Sequence, residues 1–217
     1  MAHLPAFAAA LRLARRARRD TSGVAALEFA LLLPVMLLMY FASAEVTKGV
    51  LASRKVTVAT RALSDLLGQQ ASSVNDTVLA NIFASASPVM SPFPTTNLLS
   101  MTLSSIKFVA QPGNPANFDA FTAWSASSTS NPLRPCTVKL TPVANSAAPT
   151  PNGVPQGLYG AGTVVVADVT YSYPSPFNIN VGLWQSPATI TFKRAIFNAP
   201  RNQTSIAYTG STGTVCP

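Results

Sequence analysis

Charge, histidine and cysteine are all scarce in this chain. Only 10% of its 217 residues are charged, against about 25% in an ordinary soluble domain. Too few charges are present to cover a wholly water-facing surface. One His and two Cys exclude His-rich and four-cysteine zinc sites, iron–sulfur clusters and Cys–His dyads of the usual kind. Gly (11) and Pro (18) are too few for a low-complexity polymer. No G-x-x-x-x-G-K-[ST], no G-x-S-x-G and no metal-binding loop occurs, so neither a nucleotide cradle nor a hydrolase elbow is written in the chain. Only one apolar run is long enough to cross a bilayer.

What charge there is has the basic sign, with a formal net of +8 and a sequence pI near 10.0. Its placement decides its meaning. Residues 1–23 hold Arg12, Arg15, Arg16, Arg18 and Arg19 against Asp20, a net of +4. Residues 62–217 hold only six bases and four acids. Half the excess therefore lies in the first tenth of the chain, and no distributed basic face is left for a phosphate backbone. Nucleic acid is not an expected partner, because phosphate affinity needs several converging cations.

The basic head precedes VAALEFALLLPVMLLMYFASA, residues 24–44, with Glu28 as the sole charge. At 1.5 Å per residue these 21 residues span about 31 Å, the thickness of a bilayer's hydrocarbon. Basic residues before the span and few after it put the N-terminus inside, with the bulk of the chain outside the cytoplasm. Three readings of this head compete. Ala42-Ser43-Ala44 is an A-x-A site of the kind a cleaved secretory signal carries, although the run exceeds the usual h-region length. A plain uncleaved anchor is the second. The third rests on the junction Gly23-Val24-Ala25-Ala26-Leu27-Glu28-Phe29, in which a basic leader ends in Gly and Glu is the fifth residue after it.

That junction resembles the class III signal of type IV pilin-like proteins. With Gly23, Glu28, Phe29, Ala30 and Pro34 at their spacing, it is similar to the N-terminal motif of the TadE/TadG-like family of Tad pilus biogenesis. The resemblance implies a structural or assembly component of a Tad-type (type IVb-like) pilus or related secretion system. It implies a membrane-anchored, pseudopilin-like, non-enzymatic protein with a role in adhesion. Its partners would be the bacterial inner membrane, other Tad pilus subunits and pseudopilins, and a prepilin peptidase cutting between Gly23 and Val24. The outer part would then be periplasmic. Segments VVVADVTYSYPSPF and ATITFKRAIFNAPRN also look like the C-terminal strands of TadE-like proteins. The competing reading is a secreted or membrane-anchored periplasmic binding domain with no pilus role.

Glu28 is informative on physical grounds as well. A carboxylate inside a membrane helix is costly, less so near its end, and Glu28 lies about 7 Å from the start of the span. Cleavage at Gly23 would create an α-ammonium on Val24 at nearly the same depth. A neighbouring subunit's Val24 could then pair with Glu28 and set axial register, with Phe29 and Pro34 part of the same assembly motif. Snorkelling to the headgroups is the bland alternative. Ala26 and Ala30 allow close helix approach, and Pro34 removes one backbone donor.

Helical pattern continues past residue 44. Val46, Val50, Val56, Ala59, Leu63, Leu66 and Leu67 form an approximate stripe, with Gly68 as C-cap. The expected fold class is α+β: a long N-terminal transmembrane helix continues into an amphipathic periplasmic helix packed on a C-terminal antiparallel β-sheet. The expected divisions are a basic cytoplasmic leader (1–23), a transmembrane helix (24–44), a periplasmic helical region (45–97) and a periplasmic β-rich domain (98–217). A short helix opens near Ser73 and Asp76 and presents Val74, Val78, Leu79, Ile82 and Phe83. Strand candidates are 101–110, 118–124, 136–140, 163–173 and 189–197. Residues 141–162 read as an exposed loop with Gly157–Gly162 approaching a hairpin, and the tail from about Thr209 reads as loosely ordered except at Cys216.

Cys136 and Cys216 both fall on the outer side, so an oxidising periplasm makes one disulfide between them the simple expectation, with free or intermolecular thiols the alternative. Catalysis has little to stand on. Ser104 and Lys107 spell S-x-x-K without the companion motifs, and Asp119 and Asp168 are unmarked candidates for a carboxylate pair. No catalytic, cofactor-binding or metal residue is assigned, and no small-molecule substrate is expected.

Overall fold

The computed structural model describes residues 23–128, 132–175, 180–181, 184–185 and 189–217. The Arg-rich leader (1–22) lies outside the described residues. Two compact units divide the chain, Met1–Thr47 and Lys48–Pro217.

Helix α1 runs Val24–Gly68. Its part within the second unit buries Ala52, Val56, Ala59, Leu63 and Leu67 completely. Their spacing of three and four places them on one helical face, and each fully buried Val or Leu is worth about 1.5–3 kcal/mol. Val46 and Val50, expected on the stripe, are exposed instead. Gly68 ends the helix without a left-handed φ. An added Cβ would meet Ala199 O at 3.4 Å, and Gly68 O accepts the Arg201 amide at 2.9 Å. It therefore does not act as the left-handed cap expected of it.

After strand β1 (Ser73–Val74) comes helix α2, Asp76–Ala84, capped by Asn75, whose side chain accepts from Val78 N at 2.9 Å. The expected cap near Ser73 is therefore displaced by two residues, and Val74 belongs to a strand. Helix α3 (Ala86–Met90) follows. Strands β2 (Leu99–Gln111) and β3 (Asn114–Ser127) form a hairpin turning at Gly113, φ +82°. The positive φ favours glycine there. Strands β4 (Thr141–Val143) and β5 (Gly153–Pro155) make a small parallel pair. Then come β6 (Gly162–Pro174), β7 (Asn180–Val181), β8 (Trp184–Gln185), β9 (Thr189–Asn198), β10 (Ala207–Tyr208) and β11 (Thr214–Val215).

The main sheet is five-stranded and antiparallel throughout, in the order β11-β3-β2-β6-β9. The α+β expectation holds: a long apolar helix ends packed on a C-terminal antiparallel sheet. Alternation along the strands divides the sheet into two buried faces. Leu99, Met101, Leu103, Trp124, Val165, Ala167, Val169 and Tyr171 join α1 and α2 in one core. Ile106, Ala120, Val164 and Val166 join Leu140, Val154 and Tyr159 in a second.

That second core corrects two expectations. Residues 136–140 are not a strand; Leu140 makes only an isolated bridge to Ala120. Residues 141–162 are exposed over much of their length, as expected, but are not loop throughout: β4 and β5 pair within them, and Gly153 and Val154 are buried, Val154 in the second core. Pro and Gly suppress regular structure there without preventing burial. Gly157–Gly162 is no hairpin approach either: a 3₁₀ turn, Gln156–Leu158, links β5 in one sheet to β6 in another.

The tail is ordered too. β10 pairs in parallel with β1, and β11 edges the main sheet at Trp124 and Ser125. Trp124 Nε1 donates to Ile206 O at 2.6 Å, and its ring stacks on Tyr208 at 5.4 Å. The disulfide Cys136–Cys216 closes the tail onto the cover segment, across 80 residues of sequence.

Candidate functional site

Within the first unit, α1 presents an apolar cylinder. Leu27 is 73% and Leu31 77% exposed, and Phe29, Val35, Met36, Leu37, Leu38 and Met39 are exposed as well. An 18-residue window of the helix has mean hydropathy 2.2 with none of it buried. A helix so apolar and so bare is long enough to cross a membrane.

Val24 is the first residue of α1. Glu28 lies one turn later on the same face and is exposed. Phe29 and Pro34 point elsewhere, about 140° apart around the axis, so the motif residues are spread around the helix rather than gathered into a cluster. Pro34 sits inside the helix without ending it, which leaves the Ala30 carbonyl without its i+4 donor. Near the end of the span, hydroxyls fold back onto the helix. Ser43 Oγ donates to Tyr40 O at 2.8 Å and Thr47 Oγ1 to Ser43 O at 2.8 Å, satisfying these groups without water. Tyr40 and Phe41 meet edge to face at 5.6 Å. Aromatic residues near the end of an apolar run suit a membrane interface; the sequence reading passed over them, although their position beside Ala42 was the signal.

Residues 23–64 match the model of the TadE-like protein family. The N-terminal helix is TadE-like. The match opens on Gly23, covers 42 of 217 residues and runs through both the apolar and the amphipathic parts of α1. It does not extend to β6 and β9, the strands whose sequences also resembled the family. No curated protein and no solved structure matches the chain.

Surface clefts open among the described residues of the second unit. One, about 430 Å³, lies between the β4–β5 segment and β9, lined by Val143, Pro149, Pro155, Leu158 and Phe197 among others. Another, about 280 Å³, borders Asp168, Lys193 and Arg194. A third, about 380 Å³, borders Asp119 and Lys139. The candidate catalytic pairs do not assemble in any of them. Ser104 and Lys107 point to opposite faces of β2. Ser104 Oγ shares a hydrogen bond with Ser125 Oγ at 2.8 Å, and Lys107 Nζ donates to Pro217 O at 2.8 Å. Asp119 and Asp168 stand opposite Val109 and Thr102 of β2, roughly 23 Å apart along the strand and far beyond the separation of a glycosidase pair.

Each of these acids has a structural partner. Lys139 and Gln111 hold the Asp119 carboxyl below the usual range. Burial pushes Asp168 up, against the pull of Arg134. Among the described residues, no cluster of three or more His, Cys, Asp or Glu could hold a metal.

Proposed function

We propose that this chain is a membrane-anchored, pseudopilin-like assembly component of a Tad-type pilus or related secretion system. The observation that carries the reading is the TadE-like match at residues 23–64, on a helix whose apolar part is bare. In this reading the leader is cytoplasmic, residues 24–44 lie in the inner membrane and the second unit is periplasmic. A prepilin peptidase cuts after Gly23. The freed Val24 ammonium of one subunit then pairs with Glu28 of another, so that subunits stack in one axial register while Phe29 and Pro34 shape the packing. The fold turns over no substrate. Its work is to be cut, inserted and packed.

N-terminal sequencing of the mature protein tests the processing step. A start at Val24 supports it; a start at Glu45 would mark a secretory signal, and an intact leader an ordinary anchor. Glu28→Ala tests the register step, with membrane insertion retained and incorporation into the assembly abolished. Normal assembly of that variant would sink the pairing.

A further inference from the structure

Within the second unit, the side of α1 turned away from the sheet carries a distinct stripe. Leu51, Arg54, Lys55, Val58, Arg61, Ala62 and Asp65 fall within a sector about 120° wide on a helix of 100° per residue. The buried residues centre on the opposite side. Leu51 is 48% and Val58 53% exposed, Arg54 and Arg61 are exposed and Lys55 half-buried. None of these three cations has a carboxylate partner among the described residues.

The acids of this unit tell the complementary story. It contains four, Asp65, Asp76, Asp119 and Asp168, and each is engaged within the fold. Arg201 holds Asp65, Lys139 holds Asp119 and Arg134 holds Asp168. Asp76 accepts from Tyr208, Ser211 and Thr212. A second copy's outer unit therefore has no uncommitted carboxylate to offer this stripe, and two such stripes face to face would repel.

We propose that this face of α1 is a heterotypic docking surface for an acidic, apolar helical face of a different protein. Charge complementarity selects the partner, with Leu51 and Val58 supplying the desolvated centre and Arg54, Lys55 and Arg61 the flanks. Two apolar residues seven apart, one helical repeat, fit a partner helix lying along α1. A flat anionic lipid surface needs no such centre. The inference rests on the outer unit's charges and stands whether or not residue 23 is the cleavage point.

The test is site-specific photocross-linking in the native membrane, with p-benzoylphenylalanine replacing Val58 in the full chain. Expected is a cross-link to a different protein whose contacted peptide carries Asp or Glu. It is lost in the Arg54→Glu/Arg61→Glu variant and restored when the contacted acids are changed to Lys. Retention of the Cys136–Cys216 disulfide in that variant, read by thiol labelling, shows that the loss is not misfolding. A cross-link to a second copy of this chain, to lipid alone, to nothing, or one indifferent to charge reversal overturns the proposal.

Discussion

Arg134 and Asp168 meet through two parallel hydrogen bonds, Nε to Oδ2 at 2.8 Å and Nη2 to Oδ1 at 2.9 Å, beneath the segment that covers the sheet. Arg134 is 2% exposed. Its remaining Nη1 donates to Pro151 O at 2.9 Å and Gly153 O at 3.2 Å, so one guanidinium pins the cover segment to β6. Removing it strands the Asp168 carboxylate and frees two carbonyls. Arg134→Ala should destabilise the fold by about 3–5 kcal/mol, whereas an apolar double replacement, Arg134→Met with Asp168→Leu, should recover most of that. Chemical denaturation of the purified chain in detergent measures both.

Asp76 ties the tail to α2. The Ser211 amide, the Tyr208 hydroxyl and the Thr212 hydroxyl donate to its carboxylate and hold it well below the ordinary range. A carboxyl depressed in the fold stabilises fully above its unfolded value, about 3.9, and that contribution fades as pH falls through the folded one. Acid should therefore loosen the tail before the sheet. Amide exchange at Ser211, corrected for its intrinsic rate, should lose protection below about pH 4 in the parent. Asp76→Asn should be weakly protected at every pH; a parent flat with pH would refute the link.

Gly213 lies where no side chain fits. An added Cβ would stand 2.7 Å from Ala126 Cβ and 2.8 Å from Ser125 O. Gly213→Ala should cost about 1–3 kcal/mol, the usual range for overpacking. Gly160→Ala is the control, because nothing lies within 4 Å of its added Cβ. A lowered melting temperature in the first and an unchanged one in the second is the expected pattern.

The disulfide encloses a long loop, 80 residues in sequence separation. Replacing both cysteines by Ser should cost about 2–4 kcal/mol. Cys216 N still donates to Ala123 O at 2.9 Å, but the loss should appear first as cleavage of the tail in limited proteolysis, which removes β11 and leaves β3-β2-β6-β9 intact.

Features that depend on neighbours in sequence were legible. The span at residues 24–44 shows in composition, the amphipathic part of α1 in its period, and the strands at 101–110, 163–173 and 189–197 in β-branched content. The TadE-like stretch was legible as well, because the spacing of Gly23, Glu28 and Pro34 is a local pattern, and the family match covers residues 23–64. Features that depend on distant partners were not. Arg134 sits between prolines and gave no local sign of the Asp168 pair, and Asp76 looked like a capping acid until Ser211 and Thr212 reached it.

Residues 141–162 and the tail mark the boundary. Sequence alone determined that this chain carries a membrane-length apolar helix, two cysteines and a β-rich C-terminal part, since hydrophobic length and periodicity are local quantities. Only the tertiary structure decided that a Pro/Gly-rich stretch packs Val154 into a second core on the far face of the sheet and that the tail is pinned at Asp76 and Trp124. Their order comes from burial and hydrogen bonds contributed by residues far away in the chain, which no local pattern records.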